Sequence, residues 1–154
     1  MEQTPNSVRS QSVPLNGLRL LLPNTCIAEV VTHQPPEPVD DAPPWLLGTM
    51  DWRGERIPVI SFEAANDAGN AEPGRGARIV VVNGLSGDDT LPFYAILAAG
   101  IPRLLTVDRE QLSEDPAPAQ ELPLALAYVR VEGEPCVIPD QDGIEALLKN
   151  QGLG

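Results

Sequence analysis

A chain of 154 residues is close to the commonest domain size and can bury roughly 68–70% of its unfolded surface, so it can hold a core without metals or disulfides. Its net charge is −12, with nine arginines, one lysine (Lys149) and no basic cluster, which argues against nucleic acid or an anionic membrane surface as a direct partner. Apolar residues at 42% exclude a chain disordered throughout, and no apolar run approaches the ~18 residues that span a bilayer.

Met1 to Ser7 reads as a polar, frayed tail with no apolar stretch of the signal-peptide kind, so a cytoplasmic protein without membrane insertion is expected. Residues 8–150 form one domain. Val8 to Leu22 is a hairpin turning at Asn16-Gly17, a dipeptide favoured where both turn residues take positive φ. Ile27 to Val31 is a short strand. Thr32 to Pro44 holds five prolines and three acids and is a loop. Trp45 to Met50 and Glu55 to Phe62 are strands around an Arg53-Gly54 turn, and Pro58 inside the second must face an edge or a bulge.

Ala64 to Gly76 is an exposed connection, and Arg78 to Val82 a strand of β-branched residues. Gly84 to Thr90 is a loop. Leu91 to Leu105 is apolar and broken into two strands by Gly100 and Pro102. Asp108 to Pro123 is a second acidic, Pro-rich loop. Leu124 to Val131 and Cys136 to Ile138 pair around Glu132-Gly133. The chain closes with a helix in which Asp142 caps the N-terminus, Glu145 completes a capping box, Ile144, Leu147 and Leu148 form the apolar stripe, and Gly152 is the C-cap.

Enzyme chemistry lacks its parts. His33 is the sole histidine, so any Ser-His-Asp or Cys-His constellation would need it, and it lies in the Pro-rich loop. The two cysteines, Cys26 and Cys136, are far apart and each next to an apolar residue, as small buried thiols usually are. They offer no zinc-ligand spacing with His33. The acid pairs Asp40-Asp41, Asp88-Asp89 and Glu114-Asp115 are sequence neighbours that project apart, in predicted loops. Asp140 to Gly143 has a calcium-loop Gly out of register.

The stretch from Trp45 to Phe62 stands apart. It presents Trp52 and Arg53 side by side at a tight turn, two residue types enriched at interface hot spots. A hairpin with a buried Trp fits the same residues equally well. The spacing Gly48-x-x-x-x-Arg53-Gly54-x-x-Ile57-Pro58-Val59-Ile60, with Leu22-Pro23-x-x-x-Ile27-x-Glu29-Val30 upstream, resembles the CheW-like domain of bacterial chemosensory systems. The resemblance runs from about Val8 to Leu148.

It implies a mostly β fold of two intertwined SH3-like five-stranded β-barrel subdomains, a hydrophobic core between them and a C-terminal helix. It implies a non-enzymatic adaptor, without cofactor or metal, that couples the cytoplasmic tip of a chemoreceptor (a methyl-accepting protein) to the regulatory domain of a CheA-type histidine kinase, recruited to receptor arrays. Glu29, Gly48, Arg53 and Gly54 match positions the family uses around its receptor-contacting groove. Ile27 and Met50 would be apolar neighbours, and Trp52 stands where the family usually has a different Asn-Leu-Arg-Gly start. Ala99-Gly100-Ile101 departs from a frequent Asp-Gly-Val, and Pro139 to Gly143 is longer and more acidic than usual. The compact Val13-Pro-Leu and Leu22-Pro start resembles accessory family members that serve type IV pilus chemosensory systems. Two other readings compete: a small-molecule-binding or sensor β-barrel domain, and a hydrolase built on the acid pairs.

Overall fold

The computed structural model describes residues 7–66, 73–84, 91–108, 112–114, 122–131 and 133–151. Among these residues, eleven strands and two α-helices follow in chain order. Strands β1 (Ser7–Pro14) and β2 (Arg19–Pro23) form the first hairpin, and a 3₁₀ turn at Asn24–Cys26 leads to β3 (Ile27–Thr32). Strands β4 (Leu46–Trp52) and β5 (Glu55–Ile60) form the second hairpin and run into a one-turn helix, α1 (Phe62–Ala65). Strands β6 (Arg78–Asn83), β7 (Phe93–Ala98), β8 (Arg103–Asp108), β9 (Leu112–Glu114), β10 (Ala125–Val131) and β11 (Glu134–Pro139) precede the closing helix α2 (Gln141–Asn150).

The strands sort into two sheets, of order β8-β1-β2-β11-β10-β9 and β3-β6-β7-β5-β4. The chain starts the first sheet, builds the whole second sheet, then returns to finish the first. That return is what intertwines the halves. Neither sheet closes into a hydrogen-bonded barrel, and the first has six strands, not five. Its extra strand arises because β8 and β9, separated only by residues 109–111, supply its two opposite edges. In the second sheet the free edge of β4 is already taken. Glu37, in the Pro-rich segment, exchanges both backbone hydrogen bonds with Thr49, at 2.8 and 2.9 Å. A blunted edge of this kind prevents β4 from pairing further.

Pro58 sits beside a bulge, the register shift of β4 against β5 between Leu46 and Gly48. Strand β5 lies inside the sheet, between β7 and β4, so the Pro is not on an edge strand. Thr49, its partner on β4, turns both backbone groups outward to Glu37. No β4 carbonyl therefore awaits an N–H from residue 58.

Alternating side chains fill three apolar clusters. The central one lies between the sheets: Val13, Leu20 and Leu22 from the first meet Val80, Val82, Tyr94 and Ile96 from the second, with Ile144 and Leu148 of α2. Each sheet also encloses its own cluster. Met50, Trp52, Ile57, Val59, Ile79 and Val81 fill the second sheet, and Leu21, Val107, Val129, Val131 and Cys136 the first. Residues 79–82 feed the two sides of their sheet in alternation, which is why that strand reads as an unbroken apolar run.

Several expectations shift locally. The first hairpin forms, but only Gly17 takes positive φ (83°), because Leu15 N–H donating to the Leu18 carbonyl at 2.8 Å closes the turn with Asn16 at negative φ. Ser7 already belongs to β1, and residues 1–6 lie outside the described set. Phe62 opens α1 instead of ending β5, because the Ser61 hydroxyl caps that turn by accepting from Ala64 N–H at 3.1 Å. The connection after it is exposed at residues 73–76, yet Asn66 is buried. Its side chain donates to the Phe62 carbonyl and accepts from Leu124 N–H.

The second acidic loop contains β9, held by pairing with β10. The loop expected at Gly84 to Thr90 falls largely on residues outside the described set, as does the Gly152 C-cap. Helix α2 starts earlier than expected. Asp140, not Asp142, is the N-cap, accepting from Gly143 N–H at 3.1 Å. The residue at the reciprocal capping-box position is therefore Gly143, and Glu145 lies buried in the helix instead.

Candidate functional site

Local backbone geometry builds the site. Trp52 pairs with Glu55, leaving Arg53 and Gly54 as a two-residue turn in which both take positive φ, 47° and 79°. This is the turn that matches strand twist, and it favours Asn or Gly at its first position. Arg53 holds that position at a backbone cost of order 1–3 kcal/mol. A residue kept in an unfavourable conformation points to a role for its side chain.

That side chain lies over the Trp52 ring, guanidinium carbon 4.9 Å from the centroid. Its Nη2 sits 3.2 Å from Glu29 Oε1. Trp52 Nε1–H donates to the same Glu29 oxygen at 2.9 Å. Glu29 lies on β3 and Trp52 on β4, the two opposite edges of the sheet. One carboxylate oxygen thus closes with side chains a sheet that the backbone leaves open. A shift of register between Ile27 and Glu29 against β6 marks a bulge on β3. Such a bulge re-aims the side chains that follow it.

The seven residues expected at the site divide by depth. Trp52 is core: its ring is buried among Met50, Ile57 and Val59, and it meets Phe93 edge-on at 4.8 Å. Met50 is buried in the same cluster, and Ile27 is half-buried against the central one. Gly48 is buried as well. It takes φ of 145°, and a Cβ there would stand 2.3 Å from the Glu37 carbonyl oxygen. Its absent side chain admits the Pro-rich strap to β4. Only Glu29, Arg53 and Gly54 present themselves outward, with 66% of the Arg53 side chain exposed.

Sequence reasoning missed two features. Phe93 supports the Trp52 ring from β7, far away in the chain. Arg56 pairs with Asp51 at 3.1 Å and with Glu37, and its Nε donates to Thr49 at 3.0 Å. These acids push the exposed Arg56 guanidinium further up and tie the strap to the hairpin's outer face. The alternation of charge with buried residues in Asp51 and Arg56 was the available signal.

Among the described residues, no cluster of three or more His, Cys, Asp or Glu could hold a metal. Both cysteines are free; Cys136 is buried as expected but Cys26 only half-buried, and burial pushes both thiols up, away from the reactive thiolate. Among the described residues, no helix is long and apolar enough to cross a membrane.

Comparison with known proteins gives a family match over residues 10–148, to the CheW-like domain. The fold is similar to the crystal structure of the scaffolding protein TtCheW from Thermoanaerobacter tengcongensis, with a TM-score of 0.73 at 16% identity, over 90% of this chain and 88% of that chain. No curated protein matches the chain.

Proposed function

The chain belongs to the CheW-like domain family, and from that premise we propose that it is a non-enzymatic cytoplasmic adaptor coupling a chemoreceptor tip to the regulatory domain of a CheA-type histidine kinase. The receptor-facing surface is the corner of the second sheet where Arg53 and Gly54 meet Glu29. The observation that carries this reading is the Arg53 side chain. It is exposed, its backbone is held left-handed, and it rests on a buried Trp52 that fixes where the guanidinium sits. An exposed, preorganised arginine beside an apolar ring is a fitting anchor for a partner helix that carries a carboxylate. Trp52 serves as the platform for this anchor and not as a contact itself.

The finer assignment is an accessory adaptor in a type IV pilus or twitching-motility system, of the kind the accessory protein ChpC represents. It rests on the compact first hairpin and on the departures at Trp52 and at Ala99-Gly100-Ile101. A small-molecule sensor has no support of equal weight, since apolar side chains occupy the interior of each sheet and the space between them.

The test is capture of purified receptor signalling tip and, separately, of kinase regulatory domain by the immobilised chain. The wild type is expected to retain both. Arg53→Ala is expected to lose the receptor tip and keep the kinase domain. Equal capture of the receptor tip by wild type and Arg53→Ala, at matched folding, removes the proposed surface.

A further inference from the structure

The two sheets meet at a second place, remote from Arg53, where a carboxyl group is buried without a charge partner among the described residues. Glu63 lies on α1, directly after the second sheet's β5, and is 4% exposed. Its Oε2 accepts the backbone N–H of Asn16 at 3.0 Å, across to the β1–β2 turn of the first sheet. Among the described residues its Oε1 has no hydrogen-bond partner. Beside the carboxyl is a cavity no larger than a water molecule, lined by Asn16, Pro73, Gly74, Leu97, Ala98 and Ala99. None of these residues titrates, so the turn, residues 73–74 and the end of β7 bring no charge to the carboxyl. At the N-cap of α1 the neighbour is the Ser61 hydroxyl.

We propose that Glu63 is a proton-operated latch between the sheets. With a neutral carboxyl it holds the β1–β2 turn against α1, and on ionisation that contact loosens.

The physical reason is the mismatch between charge and surroundings. A carboxylate needs several donors or a cation when it leaves water. Here burial pushes the carboxyl up from its ordinary value. The backbone N–H groups of Asn16 and Glu63 and the Ser61 hydroxyl pull the other way without cancelling the shift. The neutral acid keeps the Asn16 bond, and its own O–H needs only a water in the adjoining cavity. The ionised acid gains by admitting more water, which means parting α1 from the turn. The neighbouring inter-sheet bond, Ala99 N–H to the Pro14 carbonyl at 2.8 Å, lies on the same seam and opens with it.

The folded chain binds this proton more tightly than the unfolded chain does. The stabilisation is therefore complete below the ordinary carboxylate value, falls as pH rises through the window up to the raised folded value, and is flat beyond it. The latch sets how the two sheets lie against each other, and it acts whatever partner occupies the Arg53 corner.

The test is a titration of the whole chain by NMR, following the Glu63 carboxyl carbon and the Asn16 amide proton. Both are expected to move with one midpoint above the ordinary carboxylate value. Hydrogen-exchange protection of Asn16 and Ala99, corrected for intrinsic rates, is expected to drop across the same window. In Glu63→Gln the Asn16 inflection vanishes and protection stays level with pH. A Glu63 midpoint at or below the ordinary value in the wild type overturns the proposal, whether or not the variant folds. So does a normal drop in protection in Glu63→Gln.

Discussion

At the scale of single residues, the corner of the second sheet separates two roles that adjacent positions share. Trp52 is buried, so truncating it leaves a cavity among Met50, Ile57 and Val59. Trp52→Ala is expected to lower stability by about 3–5 kcal/mol in urea denaturation. Arg53 is exposed and makes one ion pair and one ring contact, each worth at most about 1 kcal/mol at a surface. Arg53→Ala should leave the urea midpoint nearly unchanged while it removes receptor capture. Replacing Arg53 by Gly keeps the turn and should raise stability slightly, because the left-handed strain is relieved. Gly54→Ala introduces that strain at φ 79° with open space around it, a loss of about 1–2 kcal/mol. Gly48→Ala adds a collision with the Glu37 carbonyl to an unfavourable φ. It should cost more than Gly54→Ala and free the strap, seen as new protease cleavage within residues 33–45.

At the scale of elements, what could be read from sequence followed from short-range rules. The second hairpin, the β-branched strand at residues 78–82 and the breaks at Gly100 and Pro102 all come from neighbours in the chain, and each is found. What stayed open involves partners far apart in sequence. For Pro58 the sequence left an edge and a bulge open, and it is the distant β4 strand, with its register shift at Leu46 to Gly48, that selects the bulge. The even balance at Trp52 could not be broken without Phe93 and Glu29, which β7 and β3 bring to it. Helix α2 shows the same limit at short range, since the sequence pattern points to Asp142 as the cap and the backbone gives that place to Asp140. Asp140→Ala is therefore expected to destabilise the chain by about 0.5–2 kcal/mol. Asp142→Ala should cost a smaller amount, because only its interaction with the helix dipole is lost. Thermal unfolding of the two variants compares them directly.

At the scale of the whole molecule, the architecture suits the proposed adaptor, which would touch two proteins at once. A chain that starts one sheet, completes another and returns ties both halves to a shared core. The central cluster draws side chains from both sheets and from α2, so neither half can fold away from the other. The acidity of −12 keeps such a part soluble and opposed to nonspecific contact with nucleic acid. The central claim is thus that the chain bridges. Analytical ultracentrifugation of the chain with a receptor signalling tip and a kinase regulatory domain tests it most directly. The account predicts a three-component species that forms with the wild type and is lost with Arg53→Ala, while the kinase–adaptor pair survives. Sedimentation of the receptor tip apart from the other two at high micromolar concentration, or an undiminished three-component species with Arg53→Ala, would contradict it.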